Sequence, residues 1–157
     1  MKRTDRKSDC AINFSLETFG DPWSLLIVRD IIFFGKRTYS AFLASNERIG
    51  TSILAQRLRS LEEKGILVKR SSPDDGRSET YHLSDKGMHL LPIVLELMAW
   101  GAEHDPETGA NKKLMASYRT DRQGILERAR KVVMNENAIV DHIPSVFRVG
   151  TSPPKKP

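Results

Sequence analysis

Across residues 51–63, apolar side chains recur at Leu54, Leu58 and Leu61. At about 100° per residue these three fall within roughly 60° of one another, which predicts an amphipathic helix with a narrow buried stripe. Ser52, Gln56 and Arg59 lie nearly opposite, flanked by Ala55 and Ser60, so the outer face is small and polar near its start. Lys64-Gly65 predicts the stop, because glycine takes the left-handed conformation that ends a helix. The pattern then changes period. Ile66-Leu67-Val68-Lys69-Arg70 reads as a strand and Pro73-Asp74-Asp75-Gly76 as a tight turn. Thr80-Tyr81-His82-Leu83 reads as the return strand, with Tyr81 and Leu83 on one face.

Upstream, residues 10–19 carry Ile12, Phe14, Leu16 and Phe19 and predict a short helix. Gly20 breaks it. Asp21 is an N-cap and Pro22 a first helical residue. Residues 23–34 are apolar almost all round, the mark of a central buried helix that Gly35 stops. Lys36-Arg37 form a basic turn. Thr38 caps a short helix over 39–44 with Phe42 and Leu43 facing the core, and 45–49 turn into the helix described first. Downstream, Ser84 caps a long helix running to about residue 104. Met88, Leu91, Leu95, Met98 and Ala102 form its stripe, which Leu90, Val94, Leu97 and Trp100 widen. One small domain does not easily cover so broad a face, whereas a second subunit would. Pro92 falls about eight residues into this helix and predicts a kink or restart. Residues 105–111 read as a linker and 112–135 as another helix, with Leu114, Tyr118, Ile125, Ala129 and Val132 as its stripe and Gly124 as its weak point. Its remaining faces are rich in Arg and Lys, and packing is preferred to an acidic partner.

The expected fold is α+β and mostly α: a winged helix-turn-helix with a two-stranded wing and additional N- and C-terminal helices, to which the resemblance named below assigns dimerisation. The expected organisation is a flexible basic segment over 1–9 and a DNA-binding and dimerisation domain over 10–105. A helical extension over 106–148 and a disordered proline- and lysine-bearing tail over 149–157 complete it.

Charge changes the picture by pointing to a partner. The net charge is +5, and a helix with a basic hairpin beside it suits a DNA groove. Gln56 and Arg59 are expected to read base edges, as glutamine pairs adenine and arginine pairs guanine bidentately. Thr51 and Ser52 in the first turn offer hydroxyls and free amides to a phosphate. Lys36, Arg37 and Tyr39 are candidate phosphate contacts, and Arg77 at the hairpin tip suits a narrow minor groove. Each feature has a plainer explanation: an ordinary amphipathic helix, a solvated hairpin, basic surface turns. Their succession in one stretch favours the DNA reading.

The longest nearly apolar run, 25–34, is interrupted by Arg29 and Asp30 and is too short to span a bilayer. No signal peptide is expected. The lone cysteine, Cys10, excludes an intramolecular disulfide framework and fits a reducing cytoplasm. Four histidines (His82, His89, His104, His142) are scattered, and no phosphate-binding glycine loop or nucleophile elbow is present. The expectation is therefore no enzyme, no cofactor and no metal. Two rivals remain: a winged helix used purely as a protein–protein adaptor without DNA binding, and a small-molecule sensor with an apolar pocket between its dimerisation helices and the core.

Several motifs occur in a familiar order: Cys10; Gly20-Asp21-Pro22-Trp23-Ser24-Leu25-Leu26 through Asp30; Thr38-Tyr39-Ser40-Ala41-Phe42; Leu54-Ala55-Gln56-Arg57-Leu58 through Lys64-Gly65; Tyr81-His82-Leu83-Ser84-Asp85-Lys86-Gly87; and Leu90-Leu91-Pro92 through Trp100-Gly101. Over residues 10–105 the chain resembles the HxlR-type winged helix-turn-helix regulators. The resemblance implies a homodimeric bacterial or archaeal transcription regulator that binds a pseudo-palindromic double-stranded operator, dimerises through the first and last helices of the domain and tolerates Pro92. It also makes Cys10 a candidate redox or electrophile sensor, the chemistry of which needs an accessible thiolate. The plainer role for Cys10 is a small apolar side chain buried at the dimer interface. Many members have proline after this cysteine, where this chain has Ala11.

Overall fold

A computed structural model of the chain describes residues 8–71, 78–110 and 112–146. Among these residues it is mostly helical with one two-stranded antiparallel sheet. Two compact units emerge: Met1–Ile31 with Lys36–Gly87, and Ile32–Gly35 with Met88–Pro157.

The first unit begins with α1 (Ala11–Phe19), which buries only Thr18; Ile12, Phe14 and Leu16 are all more than half exposed. The helix α2 (Pro22–Phe34) starts as expected, with Asp21 Oδ1 accepting the Ser24 amide at 3.0 Å. Gly35 then takes φ +63°, the left-handed stop. Thr38 caps α3 (Tyr39–Leu43) by accepting the Ala41 amide at 3.2 Å. In α4 (Thr51–Glu63) the buried residues are Leu54, Leu58 and Leu61, the stripe its periodicity predicts. The stop is a Schellman motif: Gly65, at φ +69°, donates to Glu62 O at 2.9 Å and Ile66 donates to Leu61 O at 2.8 Å.

Strands β1 (Leu67–Ser71) and β2 (Glu79–Leu83) pair from Leu67 opposite Leu83 to Ser71 opposite Glu79. The turn expected at Pro73–Gly76, and Arg77 after it, lie outside the described residues. The Tyr81 amide donates to Arg37 O at 2.7 Å, which fastens the hairpin to the segment before α3. Ile27, Val28, Ile31, Phe42, Leu54, Leu58, Leu61, Ile66 and Leu67 form the buried core, and Phe42 meets Tyr81 edge-on at 6.1 Å. Ser84 accepts the Gly87 amide at 3.0 Å, as a cap should. A Cβ on Gly87 would stand 2.2 Å from Ile66 O, so only glycine permits this approach.

From residue 85 onward two expectations are corrected. The helix expected from Ser84 to residue 104 is two helices, α5 (Asp85–Met88) and α6 (Leu91–His104). Pro92 lies in the first turn of α6, where a missing amide costs no helical hydrogen bond, so the restart expected there is what forms. The helix expected over 112–135 is also two, α7 (Lys112–Thr120) and α8 (Arg122–Met134). Asp121 divides them by capping α8, accepting the Gly124 amide at 3.1 Å. A 3-10 turn (Ile139–His142) and α9 (Ile143–Val146) follow. Leu95, Tyr118, Ile125, Ala129, Ile139 and Val146 are buried among these elements, while Leu97 and Trp100 on α6 are at least half exposed. Among the described residues no helix is long and apolar enough to cross a membrane.

Candidate nucleic-acid interface

The face of α4 opposite its buried stripe carries Thr51, Ser52, Ala55, Gln56 and Arg59, all exposed. Gln56 and Arg59 have no side-chain partner among the described residues. The face is thus small near the N-terminus, so backbone can approach a surface closely, and its two long polar side chains keep their full donor capacity. The helix itself is anchored. Arg57 pairs with Asp21 at 3.1 Å, Lys64 Nζ donates to the Glu17 and Thr18 carbonyls at 2.9 Å each, and the Tyr39 hydroxyl donates to Thr51 O at 2.9 Å.

The turn that aims α4 is held from below by a buried acid. Asp30 is 2% exposed. Its Oδ1 accepts Arg29 Nε at 3.0 Å and Nη2 at 2.6 Å; its Oδ2 accepts Lys36 Nζ at 2.9 Å and the Ser45 hydroxyl. Arg29 also clamps Glu47 with both terminal nitrogens. Ser45 and Glu47 belong to the turn between α3 and α4, so one carboxylate ties α2 to the loop that sets the direction of α4. The sequence signal was present but unread: an Arg-Asp pair inside a helix apolar on every side must be buried and compensated.

The Arg29 guanidinium holds the Glu47 carboxyl down from 4.5 to about 2. A depressed acid contributes stability that is complete above its unfolded value, about pH 4.5, and is lost as pH falls through about 2. Glu47 is 37% exposed, so the contribution is about 1 kcal/mol or less. Glu47→Gln is therefore expected to give a shallower decline of Tm between pH 4.5 and 2 than the parent chain; identical declines would remove this pair from the account.

The basic turn turns inward. Lys36 bonds Asp30 and Ser45, and Arg37 Nη1 donates to the Ile31 and Lys36 carbonyls at 3.0 Å each. A phosphate contact by either would compete with these bonds. At the hairpin base, Lys69 lies 3.1 Å from Glu79 and 3.5 Å from Glu62, and over the Tyr81 ring. Cys10 is exposed at the N-cap position of α1 rather than buried within the chain.

With this geometry in place, comparison with known proteins gives a consistent family. The HxlR-like helix-turn-helix family matches residues 18–108. An uncharacterised HTH-type transcriptional regulator of Mycobacterium tuberculosis is 35% identical over 96 residues, 61% of this chain and 60% of that protein. The chain thus spans about 60% of the length of its mycobacterial relatives. The uncharacterised HTH-type transcriptional regulator YybR of Bacillus subtilis is 28% identical over 73% of this chain and 86% of its own length. Among solved structures, a candidate transcription factor, PA1607, matches with TM-score 0.59 and 34% identity over 66% of this chain and 72% of its own. The redox regulator HypR in its oxidized form matches with TM-score 0.55 and 28% identity over 60% of this chain and 97% of its own.

Proposed function

Because the chain belongs to the HxlR-like helix-turn-helix family, we propose that it is a sequence-specific, DNA-binding transcriptional regulator that acts as a cytoplasmic homodimer. The observation that carries this reading is the outer face of α4, exposed and unengaged at Gln56 and Arg59 while its opposite face is locked into the core. In this reading α4 enters the major groove. Thr51 and Ser52 meet the backbone, Gln56 and Arg59 meet base edges, and Arg77 reaches the minor groove or the adjoining phosphates. Tyr39, Lys36 and Arg37 supply backbone contacts. Residues 10–105 form the DNA-binding and dimerising part.

The exposed apolar side chains of α1 and α6 support a second copy as the partner, Ile12 and Leu16 on the one and Leu97 on the other. Two copies would meet half-sites about 34–36 Å apart on a pseudo-palindromic operator. Fluorescence anisotropy against the chain's own upstream duplex, across a series of salt concentrations, tests the proposal. Binding is expected to weaken steeply as salt rises, because each neutralised phosphate releases counterions. No salt-sensitive binding to any duplex would instead favour the adaptor role. Sedimentation reads the dimer separately.

A trigger acting on Cys10 is a second reading. It is supported by the exposure of that thiol and by the likeness to HypR, a redox regulator. Diamide treatment is expected to weaken DNA binding of the parent chain and not of Cys10→Ser.

A further inference from the structure

Residues 112–146 lie beyond the family match, and the helices they add do more than cover α6. Between α6 and the α7–α8 pair runs a groove of about 620 Å³, within the range that holds small ligands. Its apolar side is Ile93, Leu97, Ala99 and Trp100. Trp100 is 65% exposed and one of its faces is already stacked on His104 at 4.4 Å. A smaller hollow of about 240 Å³ continues past the Arg119–Glu103 ion pair toward Lys112. The two hollows share Ala99, Glu103 and Arg119.

The polar side carries three cations against two acids. Lys112, Arg119 and Arg122 face Glu96 and Glu103 across the two hollows. Arg122 is also the first residue of α8, where the helix dipole adds positive potential. Glu96 is the more committed of the two acids. Glu96 Oε1 accepts both the Tyr118 hydroxyl at 2.9 Å and Arg122 Nε at 2.7 Å. Arg122 gives Nε to Glu96 and also meets the Tyr118 hydroxyl, and Arg119 gives Nη2 to Glu103; each guanidinium is oriented by a carboxylate and has further N–H donors. Tyr118 is 2% exposed. Burial, then the Glu96 bond, push its hydroxyl up to about 12, so it stays a donor and holds Glu96 in place.

We infer that this groove is a binding site for an aromatic carboxylate, its ring against Trp100 and Leu97 and its carboxylate on the open edges of Arg122 and Arg119. An oriented guanidinium fork beside an aromatic face is the arrangement such a ligand needs. All the lining side chains come from one chain, so the groove needs no partner to complete it. Its apolar lip shares Leu97 with the face ascribed above to a second copy, so an occupant there would be linked to assembly.

The test is a titration of the isotope-labelled full chain with β-naphthoate, followed by NMR. The chain has two tryptophans, so two indole N–H signals report, assigned with Trp100→Phe. The Trp100 signal is expected to shift saturably, with a dissociation constant on the order of 0.1–1 mM, while that of Trp23 stays put. Arg122→Ala is expected to weaken binding about tenfold, the loss of a charge-assisted bond. Arg122 is exposed, and Lys131→Ala on the outer face of α8 serves as control. β-Naphthylmethylammonium, with the charge reversed, is expected not to shift Trp100. No saturable shift with β-naphthoate, an equal or larger one with the ammonium, or undiminished binding by Arg122→Ala would each overturn the assignment.

Discussion

Asp30→Ala is expected to lower stability by about 3–5 kcal/mol, because it strips the partner from charges arranged around a buried site. Asp30 accepts from two nitrogens of Arg29, from Lys36 and from Ser45 while only 2% exposed. Alanine leaves a cavity and releases those donors together. For a chain of this size each kcal/mol moves Tm by about 2–4 °C, so a fall on the order of 10 °C is expected in a thermal melt. Urea unfolding checks the free energy directly. Lys36→Met is expected to cost less, since Asp30 keeps Arg29 and Ser45. A measured loss below about 1 kcal/mol for Asp30→Ala, the scale of an exposed pair, would mean the carboxylate is not what secures the turn. The same variant carries a functional consequence under the proposed function. While still folded it should bind duplex less tightly, because the segment carrying Ser45 and Glu47 no longer holds α4 in one direction.

What the sequence disclosed and what it withheld divide along the range of the interactions. Local signals were legible. The stripe of Leu54, Leu58 and Leu61 needs only the helical period, Gly65 only the left-handed stop, and Asp21-Pro22 and Thr38 only capping chemistry. Asp121 is an equally local signal, but Gly124 reads as a weak spot in one long helix. It is in fact the third residue of a new helix, and its amide is the one Asp121 caps. Lys36 and Arg37 show the opposite limit. Their charge reads as a solvent-facing turn, because the carboxylate and carbonyls that engage them are set by the fold and not by the residues beside them. Asp30 was visible only as an interruption of an apolar run, since its partners Lys36 and Ser45 are brought to it by tertiary structure. Among the proposed contacts, exposure was predictable residue by residue along α4, where geometry is periodic. It was not predictable in the turn before α3.

That distinction concentrates the strongest functional expectation on α4. The double variant Gln56→Ala with Arg59→Ala is expected to lose most of the preference for operator over unrelated duplex. A bidentate contact to a base edge discriminates by about 1–3 kcal/mol, and two together amount to a loss of roughly a hundredfold or more where they act independently. Non-specific affinity should fall far less, because it depends on phosphate contacts that these substitutions leave largely in place. Stability should barely move: both side chains are exposed and without partners among the described residues, where substitutions usually stay within about 0.5 kcal/mol. Competition anisotropy with operator and scrambled duplex separates these quantities, and Lys131→Ala in α8 supplies a distant surface control. A protein adaptor that never enters a groove gives the double variant and the control the same small effect. A regulator that reads sequence through another element keeps its preference intact in both. Selective loss of operator preference, with the melting curve unchanged, is the outcome that only base reading by this face of α4 produces.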